Sequence, residues 1–112
     1  MRRPVLNRKL VLEAPERVPD GAGGFEITWT ALGEVWAEIK AGTGREKALE
    51  FMTIAALPLR ITLRAAPEGA PSRPKPEQRF RAGSRIFRIL AVTEADAGAR
   101  YLTCFALEEV SQ

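Results

Sequence analysis

At 112 residues the chain is one domain, long enough to bury about two thirds of its unfolded surface, and with 46% hydrophobic residues it is too apolar for general disorder. Cys104 is the only cysteine and histidine is absent, which excludes an intrachain disulfide, His-containing triads and His metal ligands, and suits a reducing compartment. The formal net charge is only +3; the basic start Met1-Arg2-Arg3-Pro4 leads into no apolar signal region, and no run approaches the roughly 20 apolar residues of a membrane helix, so a soluble cytoplasmic chain without a membrane partner is expected.

In chain order, Leu10 and Leu12 alternate with Lys9, Val11 and Glu13, which predicts a half-buried first strand ending at Pro15. Pro19-Asp20-Gly21-Ala22-Gly23-Gly24 reads as a turn or loop, since its glycines reach positive φ without steric cost. Phe25, Ile27 and Trp29 then share one face of a second strand, with Glu26, Thr28 and Thr30 on the other. Gly33 allows a bend. A third strand follows, with Val35, Ala37 and Ile39 on its apolar face and Glu34, Trp36, Glu38 and Lys40 opposite. In this reading Trp29 is a core residue, and Trp36 packs outside the core.

After Gly42-Thr43-Gly44 the period changes. Arg45-Glu46-Lys47-Ala48-Leu49-Glu50-Phe51-Met52 is rich in helix formers, and reads as an extended loop or a helix too short to be stable alone. Beyond Pro58, Leu59, Ile61 and Leu63 alternate with Arg60, Thr62 and Arg64, a strand with one wet face. The segment Pro67 to Pro76 is proline-rich and predicts an extended loop outside the core. Gln78 to Arg81 and Arg85 to Val92 read as two strands around Ala82-Gly83-Ser84. The last strand runs from about Arg100 to Val110, with Tyr101, Thr103, Phe105 and Leu107 on one face. Six or seven such strands predict a mainly β domain, a small antiparallel barrel or sandwich with a long loop or short helix between strands three and four.

Motifs that carry chemistry are scarce. Cys104 lies mid-strand between Thr103 and Phe105, where a buried structural thiol is favoured over a nucleophile. Glu108 and Glu109 are adjacent on a strand and point to opposite faces, which is poor geometry for a carboxylate pair. Gly42-Thr43-Gly44 lacks the Gly-Lys-Ser/Thr ending of a phosphate-binding loop. The expectation is no catalytic residue, no cofactor and no metal.

Charge is polarised along the chain. Arg60, Arg64, Arg73, Lys75, Arg79, Arg81, Arg85 and Arg88 fall in one stretch opposed only by Glu68 and Glu77, whereas Glu13, Glu16, Asp20, Glu26, Glu34 and Glu38 lie in the first half. This pattern fits solvated strand faces, a nucleic-acid face, or two complementary faces of a ring subunit. A small basic β-barrel nucleic-acid-binding module would use Phe80 and Phe87 to stack on bases, but both are better placed to pack on each other in a core. Trp36, between Glu34 and Glu38, suits a protein partner better than a phosphate backbone.

Several motifs together carry a family resemblance: Leu10-Val11-Leu12-Glu13, the Asp20 to Gly24 loop, Trp29, Val35-Trp36-Ala37-Glu38-Ile39, Gly44-Arg45-Glu46, Leu59 to Arg64, Phe80-Arg81, Arg85 to Ile89 and Leu107-Glu108-Glu109-Val110. Their order and spacing resemble the head-tail adaptor (head-closure, or stopper) proteins of siphophages, prophages and gene transfer agents, over nearly the whole length. The Ala65–Gln78 connection departs from that pattern in length and proline content. The resemblance implies a structural virion protein at the head-tail junction, assembled in the bacterial cytoplasm as a ring of this chain, a hexamer or a dodecamer. It further implies a portal or connector adaptor protein above, a tail terminator or tail-tube protein below, and packaged DNA in the channel. Residues 41–57 would be the channel-facing loop, with Gly42, Gly44, Arg45, Glu46, Lys47 and Glu50 as candidates. Glu34, Trp36, Glu38, Arg60 and Arg64 are the candidate subunit contact.

Overall fold

The computed structural model describes residues 3–42 and 56–109. Among them there is no helix; six strands, β1 (Arg8–Pro19), β2 (Phe25–Ala41), β3 (Ala56–Arg64), β4 (Arg79–Ala82), β5 (Arg85–Glu94) and β6 (Tyr101–Glu109), form one antiparallel sheet. The sheet closes into a barrel in the order β1-β2-β3-β6-β5-β4. Closure follows from the period-2 patterns, because each strand turns one apolar row inward. Leu10, Leu12, Ala37, Ile61, Leu63, Phe80, Phe87, Ile89, Leu102, Cys104 and Ala106 make the buried core.

Phe80 and Phe87 oppose each other across the β4–β5 hairpin and are both fully buried, so they are core residues as their spacing predicts. The hairpin turns at Gly83, whose φ of +63° suits glycine. On β6 the inward row is Leu102, Cys104 and Ala106, while Tyr101, Thr103, Phe105 and Leu107 lie half-buried on the outside. The small inward residues Cys104 and Ala106 fit an interior to which the two buried phenylalanines contribute much of the volume.

Three boundaries differ from the sequence expectation. The second and third predicted strands are one continuous β2, because Gly33 makes a bulge instead of a break. Leu12 pairs with Gly33 and Glu13 with Ala31, which leaves Leu32 as the extra residue, and Gly33 takes a φ of +144°. β1 does not stop at Pro15 but runs to Pro19, since past Glu13 it has only β2 as a neighbour and an edge strand tolerates proline. The predicted 41–57 loop is shorter than expected, because Ala41 pairs with Leu59 and Leu57 pairs with Glu108. Gly42 donates its N–H to the Pro58 carbonyl at 3.0 Å. Gly44, Arg45, Glu46, Lys47 and Glu50 lie outside the described residues, as does the short helix considered there. The proline-rich connection is a series of turns, but Pro74 is fully buried and so belongs to the interior, contrary to expectation.

Cys104 has no exposed surface, and burial, partly offset by the charge of Arg73, pushes its thiol up to about 12. A neutral thiol that no reagent reaches is expected to resist alkylation at pH 8 until the barrel unfolds. Cys104→Ala is expected to cost about 1–2 kcal/mol, read as a lowered thermal midpoint, and to leave assembly intact at permissive temperature. Lost assembly with an unchanged midpoint would give the thiol a role beyond packing.

Candidate functional site

Past the bulge, β1 and β2 leave the barrel together as a two-stranded ribbon, paired from Ala14↔Thr30 to Pro19↔Phe25. Its tip is fixed by Asp20, whose Oδ1 accepts the N–H groups of Ala22 at 2.8 Å and Gly24 at 3.1 Å. Gly21 and Gly23 supply the left-handed conformations of that turn. Phe25, Ile27 and Trp29 do share one ribbon face, and Phe25 and Ile27 are 59% and 52% exposed. On the other face Thr30 Oγ1 donates to Glu16 Oε2 at 3.0 Å. Where the ribbon diverges from the barrel it opens a groove of about 740 Å³ lined by Pro15, Arg17, Ile27, Trp29, Arg88 and Leu90, among others.

A carboxylate clamp holds the base of the ribbon. Glu13 is 5% exposed and accepts from Arg79 Nε at 2.7 Å and Arg81 Nε at 2.8 Å. Burial pushes the Glu13 carboxyl up, but the hydrogen bonds from Arg81 and Arg79 and their charges outweigh it and hold the group below its ordinary value. The Arg79 guanidinium also stacks 4.0 Å from the Trp29 ring centroid. Trp29 is therefore a half-buried brace against Arg79 outside the core, which corrects its assignment as a core residue. A second clamp joins β5 to β6, where Arg85 Nε and Nη2 donate to Glu108 at 2.7 and 3.0 Å.

The predicted contact residues lie on adjoining strands of the barrel exterior. Trp36 is 56% exposed, and Glu34 beside it forms a 3.6 Å surface pair with Lys9. Glu38 accepts the Val5 N–H at 3.0 Å and lies 3.7 Å from Lys40 Nζ. Across the β2–β3 ladder Glu38 faces Thr62, which Arg60 and Arg64 flank on the same face. A cleft of about 320 Å³ runs between Glu38, Lys40, Arg60, Thr62 and Thr103. The Arg60 Nε is buried there with no hydrogen-bond partner among the described residues. The structure thus brings Glu38, Arg60 and Arg64 together and leaves Trp36 open beside them.

Sequence reasoning missed the Glu13–Arg79–Arg81 clamp and the groove. Two arginines at i and i+2 share one face of a short strand, which was a usable signal that an acid must face them. Among the described residues no group of three or more His, Cys, Asp or Glu side chains is placed to hold a metal ion.

Fold and surfaces define a small closed antiparallel barrel with a protruding arm. The chain matches the phage head completion protein family over residues 1–110, and it belongs to that family. It is 62% identical to a chain in the virion of a native gene transfer agent particle, with 98% of this chain and 100% of that chain covered and a TM-score of 0.80. It also matches the solution structure of a protein from Shigella flexneri 2a at 18% identity, with both chains fully covered and a TM-score of 0.68, a likeness of fold alone. No curated protein matches. Family membership and the virion match support a structural virion role.

Proposed function

We propose that this chain forms a ring at the head-tail junction below the portal, closes the DNA-filled head and offers the surface on which the tail docks. The observation that carries this reading is the 62% identity, across 98% of the chain, to a component of a gene transfer agent virion. Its part in the particle is mechanical and not enzymatic: it holds neighbours by complementary surfaces repeated around an axis, so that weak contacts add up. A ring needs two different faces on each subunit, and the Glu38–Arg60–Arg64 surface with Trp36 at its margin supplies one of them. A nucleic-acid module that stacks bases on Phe80 and Phe87 is disfavoured, because both are fully buried.

Particles made without this chain are expected to be heads and tails that do not join, with DNA lost from the heads. Electron microscopy with a DNA-protection assay reads both outcomes. Joined, DNA-retaining particles in its absence would overturn the reading. Trp36→Ala is expected to keep the wild-type circular dichroism and thermal midpoint while impairing incorporation into particles, since an exposed aromatic anchor contributes to binding and little to folding. A midpoint lowered as far as a core truncation lowers it would place Trp36 in the fold and remove it from the contact.

A further inference from the structure

The ribbon has two outer edges, and they differ. Asp20 N–H donates to the Gly24 carbonyl at 3.1 Å, which fixes Asp20 and Gly24 as a hydrogen-bonded pair. Antiparallel pairs alternate between bonded and non-bonded, so Val18↔Glu26 and Glu16↔Thr28 are bonded as well. The pairs between them, Pro19↔Phe25, Arg17↔Ile27 and Pro15↔Trp29, turn their backbone groups outward. On β1, two of those three outward positions are proline, which has no N–H to offer. On β2 all three, Phe25, Ile27 and Trp29, keep both donor and acceptor. β2 meets β3 only from Ala37 onward, so among the described residues nothing pairs with this edge. One edge is closed to strand pairing and the other is open.

We infer that the outer edge of β2 at Phe25–Trp29 is a strand-addition site, which takes an extended segment of a different protein of the assembled particle. This inference rests on the proposed virion role. A second copy of this chain fits poorly. Its barrel is closed, its β1 edge carries Pro15 and Pro19, and β2 against β2 gives a two-fold dimer that cannot propagate around a ring. The partner segment is defined by the two faces it must continue. Alternate residues are apolar, to lie beside Phe25, Ile27 and Trp29, and those between are polar, with a lysine or arginine able to face Glu26.

The test uses proline as a probe of one backbone N–H. Ile27→Pro removes an outward donor without touching a β1–β2 bond, and Arg17→Pro does the same directly across the ribbon on the closed edge. Ile27→Ala removes the side chain and keeps the donor. In particles produced without a wild-type copy, Ile27→Pro is expected to lose incorporation by about tenfold, whereas Arg17→Pro and Ile27→Ala retain it. Amide hydrogen exchange gives a reading that survives a misfolded variant. In wild-type particles Phe25, Ile27 and Trp29 should become protected relative to the free chain, and Arg17 should not. Unchanged exchange at these three amides, or equal incorporation of the Ile27→Pro and Arg17→Pro chains, would overturn the inference. So would a free two-fold dimer abolished by Ile27→Pro. Absence of the wild-type chain from particles would instead overturn the virion role itself.

Discussion

Phe87→Ala is expected to remove a large share of the protein's stability. Phe87 is fully buried and faces Phe80 across the shortest hairpin of the barrel, so truncation empties the middle of the interior. Core phenylalanine to alanine changes cost about 3–5 kcal/mol, and a domain of this size holds only about 5–15 kcal/mol in all. Circular dichroism should show a thermal midpoint lowered by about 12–30 °C. A near wild-type midpoint would mean that the interior can collapse around the gap. Trp29→Ala, by contrast, removes a ring braced on Arg79 outside the core, and about 1–2 kcal/mol is expected.

The second large effect is at Glu13. Glu13→Ala leaves Arg79 and Arg81 side by side on one face of β4 without the carboxylate that joins them. Breaking a buried pair on one side costs about 3–5 kcal/mol, and because the Arg81 side chain is 38% exposed we expect somewhat less, about 2–4 kcal/mol. Glu13 also makes stability depend on pH. Its carboxyl is held below the ordinary 4.5, so the stabilisation is fully present above that value and is lost as pH falls through the lower folded value. Asp96 and Glu108 are lowered too and act in the same direction. The informative quantity is therefore the midpoint difference between wild type and Glu13→Gln, expected to be large at pH 7 and to shrink below about pH 4. A difference that does not change with pH would show that the clamp acts by shape and not by charge.

Where one strand has one wet face, local pattern was sufficient. Leu59 to Arg64 alternates without interruption, and Ile61 and Leu63 are buried as that alternation requires. Phe80 and Phe87 were legible as a core pair because only a tight turn separates their strands. The bulge at Leu32 and Gly33 was not legible, since a glycine that bends a strand and one that ends it look alike locally. Missing it split β2 in two and hid the ribbon. On β6 the alternation grouped Tyr101, Thr103, Phe105 and Leu107 on one face, as the structure has them, but did not say that this face is the outer one. The Glu13 clamp joins residues 66 and 68 positions apart, and no local period reports such a contact. The outer face of β2 was readable only in part. The exposed Trp36 between two acids pointed to a contact, but the openness of the β2 edge needs the register of β1, and with it the positions of Pro15 and Pro19.

The strand order also bears on synthesis. β6 lies between β3 and β5, so the last of the six strands in chain order is the one that closes the barrel. Until it arrives, β3 and β5 each keep an unpaired edge, whereas the β1–β2, β2–β3, β1–β4 and β4–β5 pairings already have both of their strands. A nascent chain stopped before Tyr101 is then expected to be protease-sensitive along β3 and β5, each open on the side that β6 covers, while its arm is already paired. A head completion protein made this way becomes competent for assembly in a single late step, and shortened products that lack β6 never present a finished barrel to the growing particle.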